Sequence, residues 1–142
     1  MKGKVTFTII KPGAVANENI GPILKIINEK GFHIAALRLT QLSEKQAQAF
    51  YAVHKERPFY NSLVASMSSG PIVVAMLEKE NAVEDYRKII GATDPAKAEA
   101  GTIRKLFAES VEANAVHGSD SDENAAIECD FFFNHSERFF KK

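Results

Sequence analysis

Of the four histidines in the sequence, His117 has the surroundings that suit chemistry. It stands in the stretch NAVHGSDS, followed by Gly118 and by two serines able to open a helix. Glycine permits a tight backbone turn. A helix start offers free N–H groups and a positive dipole end, which favour an anion. Imidazole is the side chain whose ordinary proton affinity suits chemistry at neutral pH. It can attack phosphorus when its second nitrogen is held by an acceptor that fixes the tautomer. Ser119 and Glu128 are close enough in sequence to supply that orientation. The same stretch also suits an ordinary loop histidine beside a helix start. His33, at a strand start, and His54 and His135, among polar residues, read as surface or packing residues.

An anion held near His117 would need partners. Neither GxxxxGK[ST] nor GxGxxG occurs, so no glycine-rich loop is available to cradle phosphates with backbone N–H groups. Side chains at element ends remain. Lys11 closes an apolar run, Arg87 lies beside an apolar helical stripe, and Arg104 sits after a long loop. Each can equally be a solvated surface cation. Phe59, after Arg57-Pro58, can stack on a base of any identity or serve as a core aromatic.

The elements that must position these residues follow from periodicity. Val5 to Ile10 is β-branched and apolar and reads as a strand, with a turn at Pro12-Gly13. Asn19 resembles a helix cap before the stripe Ile20, Ile23, Leu24 and Ile27, which Gly31 ends. Ile34 to Leu42 predicts a second strand with Ala35, Leu37 and Leu39 on one face. Ser43 and Gln46 have capping-box spacing, and a short helix covers Asn61 to Met67. Pro71 to Leu77 reads as a buried strand. Asn81 and Glu84 open a helix with Val83, Tyr86 and Ile90 inward and Gly91 at its end. A long loop with a short helix at Thr102 to Phe107 follows. Ser119 or Ser121 caps a helix to about Cys129, and Phe131 to Phe133 reads as the last strand. This order predicts an α+β, ferredoxin-like βαββαβ domain. Four antiparallel strands form its sheet, with helices packed on one face and a long loop before the active-site segment.

Composition sets the outer limits. The 142 residues predict a single domain, 1–142, able to bury its own core. Eighteen Lys and Arg balance 18 Asp and Glu, which argues against a dedicated nucleic-acid site. The one cysteine, Cys129, excludes an internal disulfide and a thiolate metal cage, and reads as a buried small hydrophobe. The N-terminal apolar run is too short for a signal peptide, and no run approaches a membrane span. A cytoplasmic location is the expectation.

The segments TFTIIKPGAV, FYAVHKERPFY, SGPIVVAMLEKENAV, GATDPAKAEAGTIR and NAVHGSDS stand in this order. Together they resemble the successive motifs of nucleoside diphosphate kinases, over nearly the whole chain. The resemblance implies ping-pong transfer of the γ-phosphoryl group of a triphosphate, typically ATP, through a phosphohistidine at His117 to a nucleoside diphosphate. Base specificity would be broad. It implies that Lys11 meets the γ-phosphate and the ribose, and that Arg87, Thr93 and Arg104 hold phosphates. Asn114 would meet the ribose, and Phe59, Leu63 and Val111 would enclose the base. Tyr51, Ser119 and Glu128 would position His117. Mg²⁺ would bridge the β- and γ-phosphates, with Asp120 reaching it through water. Gly13, Asp94 and Ala100 depart from the common pattern, where Asp, Asn and Pro are frequent. The family builds tetramers or hexamers from a shared dimer. Ala100 and the short end after Phe140 resemble bacterial tetramers, so a tetramer is favoured over a hexamer.

Two other classes fit less well. A phosphocarrier for a protein partner would need neither Phe59 nor Asn114. A non-enzymatic nucleotide binder would not need His117 together with Lys11, Arg87 and Arg104. Zinc-type spacing such as HExxH is absent.

Overall fold

The computed structural model describes residues 3–142. Four antiparallel strands form one sheet in the order β2-β3-β1-β4: β1 (Val5–Ile10), β2 (His33–Thr40), β3 (Ile72–Glu78) and β4 (Val116–Gly118). The helices are α1 (Pro12–Ala16), α2 (Ile20–Glu29), α3 (Glu44–Phe50), α4 (Tyr60–Met67), α5 (Ala82–Ile90), α6 (Ile103–Phe107) and α7 (Asp122–Phe132). This is the expected ferredoxin-like plan. Among the described residues, no helix is long and apolar enough to cross a membrane.

The two central strands, β1 and β3, are buried along nearly their whole length because both their faces are covered. On one face, Val5, Phe7 and Ile9 pack with Met67 of α4 and with Cys129 and Phe132 of α7. On the other, Val73, Ala75 and Leu77 pack with Ile23 and Ile27 of α2 and with Tyr86 and Ile90 of α5. The crossover helices α2 and α5 therefore share one face as expected. The opposite face carries α3, α4 and α7.

Local chemistry explains the element ends. Ser43 and Gln46 exchange both bonds of a capping box, at 3.1 and 2.9 Å. The Asn19 side chain makes no capping bond, nor does that of Asn81, which holds a left-handed backbone and bonds Asp85 instead. Pro12-Gly13 does not form a turn. Pro12 starts α1, where its missing N–H costs nothing.

Two expectations about strands fail. Phe131 to Phe133 is not a strand, because α7, started by Ser121, runs on to Phe132 and turns that ring into the core. The fourth strand is Val116–Gly118, paired with β1. In β2, the register slips between Ile34 and Ala36. The extra residue of this bulge puts both Ala35 and Ala36 in the core. Leu37 and Leu39 are left 50% and 62% exposed on the outer strand.

Candidate active site

β4 is short, and its middle residue is His117, opposite Ile9 of β1. The ring lies on the α7 side of the sheet, with its centroid 5.7 Å from Phe50, 6.0 Å from Phe7 and 6.4 Å from Tyr51. These aromatics fix the ring laterally but leave its side chain 19% exposed. Glu128 of α7 closes the arrangement, with Oε1 2.9 Å from Nε2. Ser119 donates to the same oxygen at 2.7 Å and accepts from the backbone N–H of Phe7 at 3.1 Å. A carboxylate can only accept, so the neutral ring carries its proton on Nε2. Nδ1 keeps a free lone pair. The helix cap is Ser121, which accepts from the Asn124 N–H, so Ser119 is left to orient Glu128.

Tyr51 stands edge-on to His117, but its buried hydroxyl makes no hydrogen bond. Burial, reinforced by the Glu128 charge, pushes its phenol far above the usual range and keeps it neutral. It positions His117 by packing rather than by bonding.

The segment before His117 is held with equal care. Ala115 has φ 73°, and Val116 N–H donates to the Asn114 carbonyl two residues back at 2.9 Å, forming a γ-turn. Such strained backbone persists only where its surroundings impose it. Here Lys11 N–H donates to the Ala115 carbonyl at 2.8 Å. The Arg104 guanidinium donates to the carbonyls of Val116, Gly91 and Asn114, at 2.9, 3.1 and 3.3 Å. Arg104 thus sits against the residue that precedes His117.

Lys11, Arg87 and Arg104 have no carboxylate within ion-pair distance among the described residues. Burial lowers the Lys11 ammonium to about 8; neighbouring Arg104 lowers it too, and Glu112 opposes. Burial also lowers the Arg104 pKa. Arg87, Thr93 and Arg104 line one cleft of about 430 Å³ with Gly91 and Thr102. The Thr93 carbonyl accepts from Asn114 Nδ2 at 3.3 Å, while Asn114 Oδ1 is buried without a partner. An unpaired buried acceptor is costly and asks for a donor.

A second pair of walls stands nearby. Phe59, 45% exposed, precedes α4, and Leu63 lies one turn on, half-buried. Val111, 54% exposed, precedes Glu112 in the chain. The Ser62 hydroxyl lies 2.8 Å from both oxygens of Glu112, which joins α4 to the segment before β4. Asp120 is exposed, and Asn124 occupies one of its oxygens at 2.6 Å.

The structure therefore brings Lys11, Arg104, Asn114, Ser119, Glu128 and Tyr51 to the His117 segment, with Arg87 and Thr93 on the adjoining cleft. Sequence reasoning missed Ser62, Glu112 and Thr8. Only Thr8, a polar residue inside the apolar VTFTII strand, left a local signal. It also misjudged Gly118, which makes no turn. A Cβ there would stand 3.0 Å from Ile90 and 3.2 Å from Tyr86, so glycine is needed for the approach of α5.

Known proteins resemble this chain in sequence and in fold. The family model for nucleoside diphosphate kinase matches residues 4–138. A nucleoside diphosphate kinase of Flavobacterium psychrophilum is 61% identical over 134 residues, 94% of this chain and 96% of the relative. One of Chlorobaculum tepidum is 59% identical over 128 residues, 90% of this chain and 91% of the relative. The solved Aquifex aeolicus enzyme superposes with TM-score 0.93 at 41% identity, covering 95% of this chain and 98% of that one. A Halobacterium salinarum enzyme, solved with CDP, superposes with TM-score 0.92 at 31% identity, covering 97% and 92%. By sequence along nearly its full length, and by fold, the chain belongs to the nucleoside diphosphate kinase family, whose members pass phosphoryl groups between nucleotides.

Proposed function

We propose that the chain moves the γ-phosphoryl group of a nucleoside triphosphate, typically ATP, to a nucleoside diphosphate in two steps, through a phosphohistidine at His117. The observation that carries this is the 2.9 Å contact between His117 Nε2 and Glu128, which leaves Nδ1 as the free nucleophile. In the first step Nδ1 attacks the γ-phosphorus in line, and the bond to the β–γ bridging oxygen breaks. The diphosphate leaves with that electron pair. Glu128 accepts from the Nε2–H and stabilises the ring as positive charge develops on it. In the second step a β-phosphate oxygen of the acceptor attacks phosphorus and the N–P bond breaks.

Catalysis is then positioning plus charge stabilisation. Arg104 and Lys11 flank the His117 segment without counter-ions, and Arg87 and Thr93 extend the anion site. The unpaired Asn114 Oδ1 offers an acceptor to a ribose hydroxyl. Phe59, Leu63 and Val111 meet the base by surface contact, which accepts every base and supports broad specificity. The Halobacterium relative, solved with CDP, binds a ligand of this class.

Magnesium fits as a passenger of the nucleotide. Among the described residues no group of three His, Cys, Asp or Glu side chains could cage a metal. Asp120 has a free oxygen able to hold a metal-bound water. When bound, Mg²⁺ would neutralise charge on the β- and γ-phosphates. The same reading takes the protein, residues 1–142, as one cytoplasmic domain assembled from dimers, with a tetramer favoured.

The deciding experiment is incubation with γ-labelled triphosphate. The protein should take up label that is lost in acid and kept in alkali, and His117→Ala should lose both label and turnover. Normal exchange by His117→Ala would exclude the mechanism.

A further inference from the structure

The His117 backbone is also gripped from the sheet face opposite its ring. Thr8 of β1 stands across from Gly118. Its Oγ1 donates to the His117 carbonyl at 2.8 Å. That hydroxyl has then spent its proton, so the contact of 2.6 Å with the Tyr86 hydroxyl must be donated by Tyr86. Both residues are 0% exposed. A directional chain therefore runs from Tyr86 of α5, through Thr8 of β1, to the carbonyl of the nucleophile in β4.

The Tyr86 ring presses on the same backbone, since a Cβ on Gly118 would stand 3.2 and 3.3 Å from two of its atoms. For packing alone a phenylalanine would fill this space. A buried hydroxyl is costly unless bonded, and here its bond is made to Thr8. α5 also bears Arg87 beside Tyr86, and the Gly91 carbonyl at its end holds Arg104. The chain thus ties the helix that carries phosphate-facing groups to the strand that carries the imidazole.

We propose that Thr8 and Tyr86 are positioning residues for phosphoryl transfer. Their two-bond chain sets the place of the His117 ring relative to the cations presented by α5 and α6. This rests on the phosphohistidine reading. Neither residue touches the nucleotide, so their loss acts on the transfer step and not on nucleotide binding.

The test is single-turnover labelling of the protein by γ-labelled ATP with Mg²⁺ over a range of concentrations. It yields a transfer rate constant and an apparent Kd. Thr8→Val removes the donor and should slow transfer by about tenfold or more, with the apparent Kd kept within about twofold. Thr8→Ser keeps the donor and should restore the rate. Tyr86→Phe keeps the ring and should slow transfer by about threefold or more. In a Thr8→Val background the same change should have no further effect, because Tyr86 acts through Thr8.

The positioning role is overturned if Thr8→Val transfers at the parent rate, or if its loss appears as a matching rise in apparent Kd. It is equally overturned if Tyr86→Phe costs as much without Thr8 as with it. Should Thr8→Val fail to fold, Tyr86→Phe decides: an unchanged rate overturns the proposal and a slowed rate at constant apparent Kd upholds it. A parent protein that takes no label overturns the phosphohistidine reading instead, so the two failures are distinct.

Discussion

At the scale of single residues, the site is built by withholding partners. Among the described residues, Lys11, Arg87 and Arg104 have no carboxylate at ion-pair distance, and Asn114 Oδ1 has no donor. Each is a debt that a nucleotide phosphate or sugar can settle. Lys11 shows the consequence most directly. Burial first, and Arg104 second, lower its pKa from 10.5 to about 8. Between those two values the folded protein binds fewer protons than the unfolded chain. This group's contribution to stability therefore rises with pH across that window, and its cost is full below pH 8. On the proposed function the activity has the opposite slope, because only the ammonium would attract phosphate. We expect kcat/KM to fall above about pH 8, where free Lys11 loses its proton. Bound phosphate favours the charged form, so the limb for kcat should lie higher. Lys11→Arg holds its charge at all working pH and should move the kcat/KM limb upward, even if its bulk lowers the maximum. Profiles of both proteins from about pH 7 to about 10 check this. A limb that does not move would assign it to another group.

At the scale of elements, the fourth strand matters most, and it was the least legible. β1 was readable to the residue, because VTFTII is rich in β-branched residues that favour a strand. The α3 cap was readable too, because Ser43 and Gln46 bond each other locally. β4 has three residues and no pattern of its own; its identity comes from pairing with Thr8, Ile9 and Ile10, far away in sequence. The phenylalanines at 131–133 carried the stronger strand signal, yet the Ser121 cap and the burial of Phe132 made them the end of a helix. The motif residues around His117 were legible as types. The partners that hold them, Thr8, Tyr86, Ser62 and Glu112, meet them only through tertiary contact. Gly118 gives this a test. A Cβ added there would lie 3.0 Å from Ile90 and 3.2 Å from Tyr86, both buried in α5. The Tyr86 ring is rigid and wholly buried, so little room exists for it to give way. Gly118→Ala should cost about 1–3 kcal/mol of stability, read as a lower denaturant midpoint at unchanged m-value. Turnover should fall as well, since the added methyl presses on Tyr86 and Ile90 of α5 beside the His117 strand. An alanine variant with the parent's midpoint and turnover would mean that the contact relaxes freely.

At the scale of the whole molecule, the two edges of the sheet have different fates. β4 forms one edge and carries His117. β2 forms the other, and beyond its bulge Leu37 and Leu39 are 50% and 62% exposed. The described residues cover one end of that edge, where Phe139 N–H donates to the Ala35 carbonyl at 2.7 Å. An open edge strand bearing two exposed leucines invites pairing and is normally covered or blunted. A second copy meeting it there would bury the leucines and extend the sheet, while leaving the β4 edge and its cleft free. Because a two-fold contact uses the same patch on both partners, one strand suffices to build the dimer. We therefore expect native mass measurements to give an integral multiple of the 15.6 kDa chain greater than one. Leu37→Lys combined with Leu39→Lys places four charges across such a two-fold contact and should yield smaller species. Their labelling at His117 should persist, because no residue of the site lies on β2. An unchanged mass for the double variant would move the interface elsewhere, and a parent mass equal to one chain would remove the dimer altogether.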